Sequence, residues 1–178
     1  MERVYKLGLV FDLDMTLVDS SVAENARKCR RWSEVYALIS RFTLYEGFEE
    51  VFTYIKWHGL KLAIVSSAPS TYIKRVVRHF NIPCEDEHII GYYEAKRLVK
   101  PDPYPIGITQ SILDEDAVHL ISFGDRAIDI QASKAAHIQS VACFWGTQEP
   151  ELLAVSGYDF ALQKPVEIIS LLKQMNGK

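Results

Sequence analysis

Cysteine is scarce in this chain: Cys29, Cys84 and Cys143 are far apart, odd in number and without a CxxC pair. That pattern excludes a disulfide framework or a zinc site and reads as buried thiols in a reducing compartment. Long apolar runs are missing too. No stretch approaches the roughly 18 consecutive apolar residues of a membrane span. The opening MERVYKLGLVFD mixes charges and meets aspartate after a short apolar run, unlike a secretory leader. A cytoplasmic protein without a membrane partner is the expectation. Positive charge is not in excess, since 20 Lys and Arg stand against 23 Asp and Glu for a net charge of −3. That balance argues against general affinity for nucleic acid or acidic membrane. The 5 histidines have no ligand spacing such as HxxxH and read as surface or core residues. No repeat, low-complexity tract or flexible linker divides the chain. One domain over 1–178 is expected, and 48% hydrophobic residues suffice for its core.

What is present is an alternation. Short apolar runs at 5–11, 61–65, 88–90, 118–123 and 140–144 read as strands, several nearly continuous in apolar residues. Continuous runs are expected where helices cover both faces of a parallel sheet. Between them, 47–57, 70–80, 103–113, 127–136 and 166–175 space their apolar residues three and four apart, as in Ile73, Val76, Val77 and Phe80. Ser70 reads as the N-cap of the second helix. The fold class is α/β, a doubly wound, Rossmann-like parallel sheet. One insertion breaks the alternation at 20–44. Ser21 and Glu24 have capping-box spacing, and Val22, Ala26, Cys29, Trp32 and Tyr36 form an apolar stripe. The segment reads as a small helical cap.

In open α/β sheets the functional crevice lies outside the carboxyl ends of the strands, so the residues following each strand matter most. After the first come Asp12, Asp14 and Thr16 in FDLDMT; after the second, Ser66 and Ser67 in IVSSAP. Lys100 in LVKPDP lies beyond the third, and Asp125 and Asp129 in FGDRAID follow the fourth. Taken singly, each has an ordinary structural reading: a turn serine, a surface lysine, an aspartate suited to a helix dipole, an Asp19 N-cap. Together, at four strand ends, they point to phosphate and metal chemistry.

This order and spacing resembles the haloacid dehalogenase superfamily of phosphohydrolases over nearly the whole chain. DxDxT lies at 12–16, the serine of VSS at 66, the lysine of KP at 100 and GDxxxD at 124–129. Phe144, Trp145 and Gly146 fit the phosphoglycolate phosphatase-like branch. The resemblance implies Asp12 as nucleophile through an aspartyl-phosphate. It implies Asp14 as general acid and then base, with its acidity weakened by neighbouring carboxylates. It implies phosphate binding by Ser66, Ser67 and Lys100. It implies Mg²⁺ held by Asp12, the backbone carbonyl of Asp14, Asp125 and Asp129. Thr16 and Asp19 would order the loop. Met15 stands where that branch often has glycine, Arg126 where a small polar residue is common, and His137 where a helix-ending glycine is usual.

The implied activity is hydrolysis of a small phosphorylated metabolite by a Mg²⁺-dependent phosphatase. A cap of only 20–44 leaves the site more open than in members with a four-helix cap. It argues against a mutase and leaves room for a larger substrate, a protein or nucleic-acid end, or a homo-oligomer whose neighbour completes the lid. A non-catalytic, phosphate-binding signalling relative is the other class, and Asp14 argues against it. Arg27, Lys28, Arg30, Arg31 and Arg41 in the insertion read first as a solvated face. Turned inward, they would attract phosphorylated anions.

Overall fold

The computed structural model describes residues 7–113 and 119–176. In chain order the elements are β1 (Leu7–Phe11), β2 (Val18–Asp19), α1 (Glu24–Lys28), α2 (Trp32–Leu38), β3 (Thr43–Leu44) and α3 (Phe48–Trp57). They continue with β4 (Lys61–Val65), α4 (Ser70–His79), β5 (Ile89–Ile90), α5 (Tyr104–Gly107), α6 (Thr109–Leu113) and β6 (His119–Gly124). The last are α7 (Ala127–Ala135), β7 (Gln139–Cys143), α8 (Pro150–Ala154), β8 (Phe160–Leu162) and α9 (Glu167–Asn176). Residues 5, 6 and 118, expected at two strand starts, lie outside the described residues.

Every residue of β1 is buried, because helices cover it from both sides. Leu9 and Phe11 enter one core cluster with Phe48 and Ile55 of α3, Ile73 and Val76 of α4, and Ile168 and Leu172 of α9. Val10, Ala63 and Val65 enter a second with Ile106, Leu113 and Ala132. The sheet runs β5-β4-β1-β6-β7-β8 and all its pairings are parallel. Strand order therefore reverses between β1 and β6, which is where such sheets open a crevice. Phe11 stacks on Phe123 with ring centroids 4.4 Å apart, and the Asp12 amide continues the ladder by donating to the Phe123 carbonyl at 2.9 Å. Those contacts fix the first residue beyond β1.

The expected α/β architecture is present, with local departures. The 103–113 segment is two helices, α5 and α6, instead of one. Strands β2 and β3 pair antiparallel, Val18 with Leu44 and Asp19 with Thr43, and form a neck for the cap. The single stripe expected in the cap does not exist. The chain turns at Arg30, whose φ is 54°, so α1 and α2 have different phases. Ser20, Ala23, Ala26, Val35, Ile39 and Phe42 are the buried cap residues, whereas Val22 and Cys29 are exposed. Cys84 is half-buried and Cys143 buried, so only one of the three thiols lies fully in the core. The Ser21–Glu24 capping box is replaced. Asp19 Oδ1 accepts from the Ser21 amide at 2.9 Å, and Glu24 turns to Lys28. Pro69, not Ser70, occupies the N-cap of α4, and Ser70 Oγ donates to Glu94 at 2.8 Å. No helix among the described residues is long and apolar enough to cross a membrane.

Candidate active site

A cleft of about 540 Å³ opens at the strand reversal, lined by Asp12, Asp14, Ser66, Ser67, Lys100, Asp125 and Asp129 together with residues of the cap. All the residues expected from the sequence to carry chemistry thus meet in one place. Lys100 is the hub. Its Nζ donates to Asp12 Oδ1 at 2.6 Å, Asp129 Oδ1 at 2.5 Å and the Val65 carbonyl at 3.3 Å, which engages all of the ammonium protons. Burial works against its charge, but Asp12 and Asp129 outweigh that and hold the lysine above its usual range.

Asp125 closes the group from β6. Thr16 Oγ1 donates to Asp125 Oδ1 at 2.9 Å, so the loop after β1 and the loop after β6 are tied together. Asp129 lies in the first turn of α7, where its Oδ2 accepts from the Arg126 amide at 3.0 Å. Gly124 is needed beside it, because a Cβ there would stand 2.3 Å from Asp129 Cβ. The carboxylate oxygens of Asp12, Asp125 and Asp129 lie within 4.8 Å of one another. Burial first, and then the mutual repulsion of these carboxylates, pushes the acid of Asp12 up to about 7 and that of Asp125 up to about 8. Clustered carboxylates that one ammonium only partly offsets are hard oxygen donors in need of positive charge. The donor set fits a divalent cation of the Mg²⁺ type.

Asp14 stands apart from this cluster. The carboxylate crowding expected around it falls on Asp12, Asp125 and Asp129, and Asp14 is instead met by donors. Its Oδ1 accepts from Tyr72 Oη at 2.5 Å and Ser20 Oγ at 2.6 Å, and lies 3.2 Å from Arg27 Nη1. Arg27 also donates to the Ser20 carbonyl at 2.8 Å, so the cap reaches this carboxylate directly. The Tyr72 and Ser20 contacts were not legible in the sequence. Tyr72 sits in an apolar helical stripe like any core residue, and Ser20 looks like a loop serine.

The remaining candidates fall into place around these groups. Ser66 is buried; its Oγ accepts from the Ala68 amide at 3.2 Å, which leaves its proton to give. Ser67 is exposed on the cleft rim. Asp19 orders the cap entrance, as expected of it. Met15 adopts the left-handed backbone, φ 66°, of a glycine position, and His137 does likewise at φ 58°. Arg126 pairs with Glu149 at 3.7 Å rather than with Asp129. Of the basic cap residues, Arg27, Lys28 and Arg30 line the cleft, whereas Arg31 pairs with Glu34 outside it.

A parallel sheet with this strand order and an aspartate cluster at its reversal places the chain among the doubly wound α/β proteins. The chain belongs to the haloacid dehalogenase-like hydrolases, whose family model matches residues 21–143. That match includes Ser66, Lys100, Asp125 and Asp129 and begins after Asp12 and Asp14. Pyrophosphatase PpaX of Listeria welshimeri is 29% identical over 129 residues, 72% of this chain and 59% of that protein. Phosphoglycolate phosphatase of Pseudomonas syringae is 24% identical over 169 residues, 94% of this chain and 58% of that protein. The chain thus spans about three-fifths of the length of these curated relatives. A HAD family hydrolase from Deinococcus radiodurans, solved with bound phosphate and sodium, superposes with a TM-score of 0.78. It is 16% identical, with 98% of this chain and 97% of that chain covered, and shares the fold.

Proposed function

We propose that this chain is a Mg²⁺-dependent phosphomonoesterase that works through an aspartyl-phosphate on Asp12 and acts on a small phosphorylated metabolite. The observation that carries the reading is the Lys100 bridge between Asp12 and Asp129, beside Asp125, at the strand reversal. Both curated relatives are named for a phosphoryl group that bears a second anion, which supports a small anionic substrate.

In the first step an Asp12 carboxylate oxygen attacks phosphorus in line with the ester oxygen. The Asp12 O–P bond forms as the ester O–P bond breaks. The electron pair leaves with the ester oxygen, which takes the proton of the Asp14 carboxylic acid. In the second step water attacks the same phosphorus and gives its proton to the Asp14 carboxylate. The Asp12 O–P bond breaks, and inorganic phosphate leaves. Lys100 orients Asp12 throughout by holding its Oδ1. Ser66 Oγ donates to a phosphoryl oxygen, and Ser67 offers a second hydroxyl on the rim. Asp12, Asp125, Asp129 and the Asp14 carbonyl would hold Mg²⁺, which supplies positive charge to the phosphoryl oxygens when bound.

The test is release of 4-nitrophenol from 4-nitrophenyl phosphate by the purified protein. Activity is expected with Mg²⁺, lost on chelation, and lowered roughly 10⁴-fold or more by Asp12→Asn, the scale seen when a nucleophile is removed. Full activity in Asp12→Asn would overturn the mechanism.

A further inference from the structure

In the run YYEAKR, Glu94 stands beside two cations, Lys96 and Arg97, in what looks like an ordinary solvated loop. Among the described residues it forms no ion pair. Its carboxylate instead takes one donor from each of two segments: Ser70 Oγ donates to Oε1 at 2.8 Å, and the Gly91 amide donates to Oε2 at 3.1 Å. Ser70 opens α4 after β4, and Gly91 follows β5, so one side chain joins the exits of two neighbouring strands. The same segments are stitched along their backbones. The Ser66 amide donates to the Ile90 carbonyl at 3.0 Å, and the Tyr92 amide to the Ala68 carbonyl at 2.9 Å. A Cβ on Gly91 would stand 2.5 Å from the Ser70 amide nitrogen and 2.8 Å from the Ala68 carbonyl oxygen. α4 has no acidic residue in its own first turn and no side-chain cap. Glu94 brings to that helix start, from 24 residues away, the negative charge its dipole favours.

We propose that Glu94 is a positioning residue for Ser66, the hydroxyl that meets the phosphoryl group. Glu94 lies outside the cleft lining and touches no substrate, so it acts through the turn at 66–70. This rests on the phosphatase reading of the cleft and adds the group that places its serine. Lys100 has three acceptors of its own, Asp12, Asp129 and the Val65 carbonyl, and stays in place without the clamp. Ser66 depends on it. Among the described residues its hydroxyl has a single tie, accepted from the Ala68 amide at 3.2 Å, and Ala68 is held in turn by Tyr92. Beyond Glu94 the chain turns through Lys96 and Arg97, both left-handed at φ 53° and 64°. Such a pair persists only where its surroundings over-determine it. The Glu94 carboxylate anchors the near end of that turn to α4 and thereby keeps the 66–70 turn against the sheet.

The experiment is a double-mutant cycle on hydrolysis of 4-nitrophenyl phosphate with Mg²⁺ present, using wild type, Glu94→Ala, Ser66→Ala and the double variant. Glu94→Ala is expected to lower kcat/KM about tenfold when Ser66 is present, less than the ~10²-fold of a full 1 Å misplacement. In the Ser66→Ala background the same change should cost less than about twofold, because the hydroxyl it places is gone. Glu94→Gln keeps the side-chain shape and one acceptor. It should recover part of the loss, with the same dependence on Ser66, and it carries the cycle if the alanine variant does not fold. A general loss of stability would lower both backgrounds by one factor. Equal factors in the two backgrounds, or no loss in either Glu94 variant, would overturn the role. If the wild-type protein hydrolyses no ester, the phosphatase reading fails, and hydrogen exchange decides the clamp separately. Faster exchange across 66–70 and 91–95 in the Glu94 variants upholds it, and unchanged exchange overturns it.

Discussion

Tyr72 behaves as a hydrophobe everywhere except at one atom. Its ring lies between Trp32 and Phe42, at 5.7 and 6.4 Å between centroids, and is fully buried. Its hydroxyl donates to Asp14 Oδ1 across 58 residues of sequence. Burial, with the charge of Asp14 adding to it, keeps the phenol well above its usual pKa, so it remains a donor. Tyr72→Phe keeps the ring and removes the donor. If Tyr72 positions the proton-transferring carboxylate, the loss falls on substrates whose leaving group needs that proton. We expect kcat on an alkyl phosphate such as glycerol 3-phosphate to fall about tenfold, within the range attributed to positioned acid–base groups. Hydrolysis of 4-nitrophenyl phosphate, whose leaving group departs readily as an anion, should fall much less. Equal losses on both substrates would reduce Tyr72 to a packing role. The same change removes a buried hydrogen bond to a carboxylate, worth about 1.5–3 kcal/mol, so thermal stability should drop as well.

At the scale of elements, the legible parts were those long enough to show a period or a continuous apolar run. β1, β4, β6 and β7 are buried throughout or nearly so, and the amphipathic α3, α4 and α9 announced themselves by spacing. β2 and β3, of 2 residues each, and the half-exposed β8 are too short to show a pattern. The cap departs from a single apolar stripe because a left-handed turn at Arg30 resets helical phase, and nothing in the string CRRW marks such a turn. The candidate site was legible because strand ends concentrate function, so order along the chain stood in for position. The partners of Asp14 were not legible, since they come from the cap and α4 at unrelated spacings. A further tie is visible only in three dimensions. Trp145 Nε1 donates to the Thr16 carbonyl at 2.8 Å, and a Cβ on Gly146 would stand 1.8 Å from the Met15 carbonyl oxygen. The turn after β7 therefore presses on the loop carrying Asp12 and Asp14. Gly146→Ala must displace that loop. A shift near 1 Å should lower kcat about 10²-fold, with circular dichroism still reporting a folded α/β protein. Unchanged kcat in a folded Gly146→Ala protein would show that the two loops are independent.

For the whole molecule, the carboxylate cluster makes stability depend on pH and metal together. The acids of Asp12 and Asp125 are raised from the ordinary 3.8 to about 7 and about 8. Between those limits the folded chain holds more protons at these positions than the unfolded chain. The metal-free stability they contribute is therefore full below pH 3.8 and is lost as pH rises through about 7 to 8. Mg²⁺ held by this cluster would act in the opposite direction, because it would bind the ionised carboxylates and have to displace their protons. Its stabilising effect should consequently grow with pH. At a concentration near 100 times its dissociation constant, a ligand of the native state adds about 2.7 kcal/mol, which for a chain of this size is a rise in Tm of roughly 5–10 °C. We expect a shift of that order at pH 8 and a clearly smaller one at pH 5.5 for the same Mg²⁺ concentration. The measurement is thermal unfolding by circular dichroism in EDTA and in Mg²⁺. Asp125→Asn should remove most of the Mg²⁺ shift and flatten the decline of the EDTA series with rising pH, since one of the repelling carboxylates is gone. An equal Mg²⁺ shift at both pH values, or a full shift in Asp125→Asn, would separate the metal from this cluster.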